Sequence, residues 1–232
     1  MFWWTKNNLV ISLILCLVLF GLSGALAQEK DLFQQALEAR ARGETKEALE
    51  LFTKCVEEGI EPHHAYFQMG LIYLNQGSYR KAYRTSEKAI VAYEKHLAEQ
   101  PEDHQSWFNL AYIHEVRSDI PGTKEWDQAK EALGKALSFS PDNFLYLLHL
   151  GYVYYKMDEY EKAEEVFLTL LDQHPTDGEV HYWLALVYRD ANRLEEAYQE
   201  FTYVIETMPE GSSRYREASK ELSRLEGKID ND

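Results

Sequence analysis

The sequence predicts an all-α chain, a solenoid of antiparallel helix pairs closed by one further helix. Three observations carry that prediction. Ala129, Ala163 and Ala197 stand 34 residues apart, Pro141, Pro175 and Pro209 keep the same interval, and so do Leu133, Phe167 and Phe201. Independent positions that share one period mark a recurring supersecondary unit. Upstream, Ala48 and Ala82 are again 34 apart, and Phe52 follows Ala48 by four.

Each unit reads as two helices. In the stretch from Leu148 to Pro175 a first apolar run holds Gly151 at its centre, where glycine costs about 1 kcal/mol relative to alanine. The same slot holds Ala36, Gly70, Ala111 and Ala185 in the other units. A small residue there lets the first helix approach its partner to about 8–10 Å. The second helix brings Ala48, Ala82, Ala129, Ala163 and Ala197 to the same seam. Prolines 141, 175 and 209 end the second helices, because a proline ring cannot continue the hydrogen-bond ladder.

These residues resemble the tetratricopeptide repeat (TPR), whose pattern is Trp-x2-Leu-Gly-x2-Tyr, then Ala-x3-Phe, then Pro. The third repeat opens with Trp107, Leu110, Ala111 and His114 and closes with Ala129, Leu133 and Pro141. The fourth carries Leu147, Leu150, Gly151, Tyr154, Tyr160, Ala163, Phe167 and Pro175, and the fifth Leu184, Ala185, Tyr188, Ala197, Phe201 and Pro209. The second keeps Tyr66, Gly70, Tyr73, Tyr79, Ala82 and Ala89 but has Ser86 at the phenylalanine slot. The first is the most worn, with Pro62 two places late. The resemblance implies a right-handed superhelix with repeats at 28–62, 63–101, 102–141, 142–175 and 176–209. Residues 210–232 supply a polar capping helix and tail, with Tyr215, Ala218, Leu222 and Leu225 on one stripe, Ser212 or Ser213 as cap and a frayed end. Tyr73, Tyr79, Tyr154, Tyr160 and Tyr188 fall in repeat-core slots and are assigned to the core.

The step from Ala82 to Ala129 is 47, so 13 residues are extra. Seven extend the second helix of the second repeat, where Ile90, Tyr93 and Leu97 continue the apolar stripe. Six form a turn insertion at 118–123, with Pro121-Gly122 as its turn chemistry.

Residues 1–27 are of another kind. Lys6 precedes an apolar run that ends at Ala25-x-Ala27, the pattern of a secretory signal peptide. The run from Leu9 to Ala27 also nearly suffices for a membrane anchor, and both readings stand. Cleavage after Ala27 removes Lys6 alone among charged residues, taking the net charge from −15 to −16. Cys55 is then the only cysteine, so no internal disulfide forms, and no Asn-x-Ser/Thr acceptor is present. Together these features point to a bacterial envelope or periplasm.

Twenty-four basic against 39 acidic residues, with no basic stripe, exclude nucleic acid as a partner. Catalytic motifs are absent: no His-Glu-x-x-His, phosphate loop or nucleophile elbow occurs. The adjacent pair His63-His64 points to two faces of a helix, so no metal and no cofactor are expected, and the chain is not expected to be an enzyme. The charge-rich run from Asp158 to Glu165 reads as a solvated face.

The resemblance implies a concave groove lined by the first helices, at positions 2, 5, 9 and 12 of each repeat. Position 5 holds Phe33, Phe67, Phe108, Leu148 and Tyr182. Position 9 holds Leu37, Leu71, Tyr112, Tyr152 and Leu186, and position 12 holds Arg40, Leu74, Glu115, Tyr155 and Arg189. The lysines and most asparagines with which family members clamp a terminal carboxylate are missing. The candidate partner-binding set is Phe67, Phe108, Tyr112, Tyr152, Tyr155, Tyr182 and Arg189, suited to a protein or peptide segment with hydrophobic anchors and basic flanks. The expected role is a non-catalytic scaffold or assembly factor of the envelope. An uncleaved N-terminal helix, the one route to a membrane, instead makes it a tethered accessory subunit.

Overall fold

The structure, a computed structural model, describes residues 32–119 and 123–229. The signal or anchor segment, the tip of the 118–123 insertion and the last three residues lie outside that range. Eleven helices and no strand occur among the described residues: α1 (32–41), α2 (Thr45–Glu58), α3 (Pro62–Asn75), α4 (Tyr79–Glu99), α5 (His104–Ser118), α6 (Trp126–Phe139), α7 (Phe144–Lys156), α8 (Tyr160–Gln173), α9 (Gly178–Asp190), α10 (Leu194–Thr207) and α11 (Ser213–Ile229). No described helix is long and apolar enough to cross a membrane. The chain forms two compact units, one ending at His96 and one beginning at Leu97.

Helix limits follow from local chemistry. Asp103, Asn143 and Asp177 cap α5, α7 and α9, each accepting a backbone N–H from the first turn. Each stands two residues after a proline that follows the preceding helix (Pro101, Pro141, Pro175), so one Pro-x-Asp/Asn tripeptide ends one helix and starts the next. Between the helices of a pair the chain turns through a left-handed residue at Gly43, Gly77, Asp158 and Asn192, all residue types that tolerate it. Pro62 does not terminate the first repeat. Gly59, left-handed at φ 75°, caps α2, and Pro62 opens α3, where its missing N–H costs nothing. Ser212 caps α11 through Tyr215 N. Helix α4 has 21 residues where α2, α6, α8 and α10 have 14.

In the second unit consecutive helices pack in order from α5 to α11. Its core joins Ala163, Phe167, Leu170, Leu184, Ala185, Tyr188, Ala197, Phe201 and Val204, and α11 closes it with Ala218 and Leu225. The first unit has its own core of Ala36, Ala39, Ala48, Phe52, Cys55, Ala65 and Ile72. Burial raises the Cys55 thiol to about 11, so it stays a neutral thiol.

The small-residue slot is not equally tight everywhere. A methyl placed on Gly151 would stand 2.5 Å from Phe167 Cε1, so the glycine exists to receive that ring. Ala111 and Ala185 are fully buried. Gly70 differs from the expected close contact: a methyl there meets nothing within 4 Å. The cause is Ser86, which stands where Phe167 stands in the later repeat and brings no ring to fill the space. Tyr79 also departs from its assignment to the core, being 64% exposed. Its equivalent Tyr160 is held by Asp158 and the ring of Tyr155, whereas the matching positions near Tyr79 are Gly77 and Leu74.

Candidate partner-binding pocket

One face of the second unit is built by first helices. Side chains of α5, α7 and α9, with Arg214 from α11, enclose a pocket of about 400 Å³. Its walls are Tyr112, Val116, Leu148, Tyr152 and Trp183, and its polar groups are Glu115, Asp119, His149, Glu179 and Arg214. The rings form two groups, one around Tyr152 and one around His149. Tyr152 meets Trp183 edge to face at 5.0 Å and Trp126 at 5.9 Å, while Tyr112 meets His149 at 5.8 Å.

Most charges around this pocket are already matched. Arg214 donates to both carboxylate oxygens of Glu179 and covers the ring of Tyr182 at 4.4 Å. Lys156 pairs with Asp119 at 3.0 Å. Glu115 is matched at one oxygen only. It is 3% exposed, and its Oε2 lies 2.8 Å from His149 Nδ1, a spacing that requires a proton between them. Its Oε1 is buried with no hydrogen-bond partner among the described residues. Burial pushes this carboxyl above the usual range, against the pull of His149. A buried acceptor left over at a pocket wall is an unmet demand for a donor.

The sequence-derived residues divide into three groups. Tyr112 and Tyr152 line the pocket, and Tyr155 stands beside it, its ring 5.9 Å from Trp183 and its hydroxyl donating to Asp190. Phe108 and Tyr182 do not offer a binding surface. Phe108 is buried and stacked on Tyr146 at 4.8 Å. Tyr182 is buried, donates to Glu217 on α11 and lies beneath Arg214, an environment that pushes its hydroxyl up to about 12, chiefly through burial. The reason is angular. At about 100° per residue, position 5 lies roughly 60° from the small-residue seam at position 8, and position 6 about 160° away. In α7 and α9 position 6 therefore reaches the pocket as His149 and Trp183, beside Leu148 at position 5 of α7, whereas Asn109, at position 6 of α5, is buried outside it; His149 and Trp183 were missed, and their helical offset from Gly151 and Ala185 was the available signal. Arg189 is held by Asp190 and Glu221 as well as by the Tyr155 hydroxyl, so it braces α9 and α11 and is not free to grip a partner. Phe67 lies in the first unit, near Tyr93.

The first unit has a pocket of about 520 Å³ bordered by Leu37, Arg40, Ala41, Thr45, Ile72, Asn75 and Gln76. Arg40 is tied to Gln68, and no buried acid or aromatic ring borders this pocket. The adjacent histidines behave differently from expectation. The rings of His63 and His64 lie 4.3 Å apart rather than diverging, because both turn toward Glu61 in the loop before α3.

Family models described as tetratricopeptide repeat match residues 63–96 and 123–187. Among curated proteins, the TPR repeat-containing protein MJ1428 of Methanocaldococcus jannaschii is 23% identical over 163 residues, covering 70% of this chain and 28% of that protein. The BBSome complex member BBS4 of Bos taurus is 24% identical over 189 residues, covering 68% and 35%. The chain thus matches about a third or less of the length of these relatives. Among solved structures, TTC0263, a thermophilic TPR protein of Thermus thermophilus, superposes with TM-score 0.62 at 21% identity, covering 84% of this chain and 98% of that one. A tetratricopeptide repeat protein of Parabacteroides merdae gives 0.64 at 18%, covering 86% and 74%. YrrB, a TPR protein with an unusual peptide-binding site, gives 0.57 at 18%, covering 82% and 90%.

Proposed function

The chain is a tetratricopeptide-repeat protein, and from that premise we propose that it is a non-catalytic scaffold or assembly factor of the cell envelope. It captures a segment of a partner protein in the pocket between α5, α7 and α9. The fold supports a protein-interaction role in general; envelope location and use of this pocket belong to the proposal. The envelope assignment rests on the signal-like composition of residues 1–27. The pocket assignment rests on one observation, the buried Glu115 with an unanswered oxygen beside the rings of Tyr112, Tyr152 and Trp183.

That combination selects a partner chemistry. Aromatic faces receive an apolar or cationic side chain, and Glu115 accepts from its donor. A segment carrying a hydrophobic anchor next to arginine or lysine satisfies both, and the acidic surround speeds its approach. Because Phe108 and Tyr182 are core, Tyr112, Tyr152 and Trp183 carry the contact. The test is a pull-down from the native envelope using wild type and the Tyr112→Ala/Tyr152→Ala pair. The expected result is at least one partner retained by wild type and lost by the pair, with circular dichroism unchanged. Equal recovery of every partner by both proteins contradicts the reading.

A further inference from the structure

Three of the eight histidines, His63, His64 and His96, gather around Glu61 in the first unit. The cluster is independent of the pocket in the second unit. Glu61 Oε2 lies 3.2 Å from His64 Nδ1 and 3.4 Å from His63 Nε2, and one donor atom from each residue falls within 4.8 Å of the other two. When two ligand atoms sit about 2.0–2.1 Å from a tetrahedral zinc ion, they lie about 3.3 Å from each other. The separations of Glu61 from the two histidines match that edge.

We propose that Glu61, His63 and His64 form a binding site for a first-row divalent metal, zinc by the character of the donors. Two imidazole nitrogens and one carboxylate oxygen are a borderline-soft set that suits Zn²⁺ and leaves a fourth position open. The backbone is arranged for it. Glu61 is left-handed, at φ 44° and ψ 47°, an unusual conformation for a residue with a side chain, and this conformation turns its carboxylate back over the start of α3. The surroundings hold the rings in place. Tyr93 meets His63 and His64 edge to face at 5.0 and 5.6 Å, and His96 stacks on His63 at 4.0 Å. His96, stacked nearly parallel to His63, is a neighbour rather than a ligand in this geometry. A bound ion ties the Gly59–Glu61 turn to α3 and stabilises the first unit by mass action.

The test uses the full-length, tag-free chain stripped of metal and titrated with zinc chloride against a chromophoric chelator. One equivalent of zinc is expected to bind in the micromolar range or tighter and to raise the melting temperature. Glu61→Gln and His64→Ala, both at accessible side chains, are each expected to weaken binding at least tenfold and to abolish the thermal shift. His174→Ala, in the other unit, is expected to leave both unchanged. No saturable binding at micromolar zinc, or equal binding by wild type, Glu61→Gln and His64→Ala, overturns the assignment.

Discussion

Phe167→Ala is expected to lower stability by about 3–5 kcal/mol, the range for deleting a large buried aromatic side chain. The ring is fully buried, and it fills the space that Gly151 leaves on α7. The reciprocal change should act through the same contact. Gly151→Leu overpacks the seam and is expected to cost on the order of 1–3 kcal/mol, although leucine gains helix propensity over glycine. In the Phe167→Ala background the same leucine enters the vacated space, so its cost should shrink or reverse sign. Gly70→Ala is the control. It meets open space opposite Ser86 and is expected to stabilise α3 by about 1 kcal/mol. Urea denaturation of the single and double variants measures all four. Equal penalties for leucine at 151 with and without Phe167 would show that the ring is not what the glycine accommodates.

The second large effect is expected at Glu125. Arg117 is 7% exposed and donates through Nε and Nη2 to the Glu125 carboxylate at 2.8–2.9 Å, while His114 Nδ1 lies 2.7 Å away. Glu125 N–H also donates to Ser118 Oγ, so the two ends of the 118–123 insertion are joined. Glu125→Ala leaves the Arg117 guanidinium buried without its counter-charge, at a cost of about 3 kcal/mol. Asp127→Ala, which removes an exposed partner of Lys130, is expected to change stability by less than about 1 kcal/mol. The pH dependence follows the same contact. Burial raises the Glu125 carboxyl, but hydrogen bonds from Arg117 and His114 outweigh it and hold the group below its ordinary value of 4.5. A group depressed on folding contributes its full stabilisation above the unfolded value and loses it as pH falls through the folded one. Wild type should therefore lose more stability than Glu125→Ala on acidification from pH 5. Thermal denaturation across that window checks the sign, and parallel losses would contradict it.

The helix pairs were legible because their signals are local and recur. Small residue, aromatic and proline return at one period, and each has a one-residue physical reason. The tightness of the seam was less legible, since Gly70 and Gly151 look alike until the partner is read: Ser86 for one, Phe167 for the other. The pocket was half legible. Periodicity identified Tyr112 and Tyr152 but not which side of them faces the core, and about 100° between positions 5 and 6 decided the fates of Tyr182 and Trp183. Glu115 stood in the sequence at a groove position, position 12, but outside the candidate set, because burial and an unmatched oxygen are properties of packing. The Glu61–His63–His64 cluster escaped for a similar reason. A helical wheel separates adjacent residues, but both histidines lie in the first turn and swing toward a left-handed residue outside the helix.

The most direct test of the central claim is site-specific photo-crosslinking in the native envelope. A benzophenone amino acid is placed at Trp183, in the pocket, or at Leu168, which is exposed on the second helix α8. The account predicts a discrete partner adduct from position 183 and none from 168. Adducts from position 168 with none from 183 would place the partner on the second helices and contradict it.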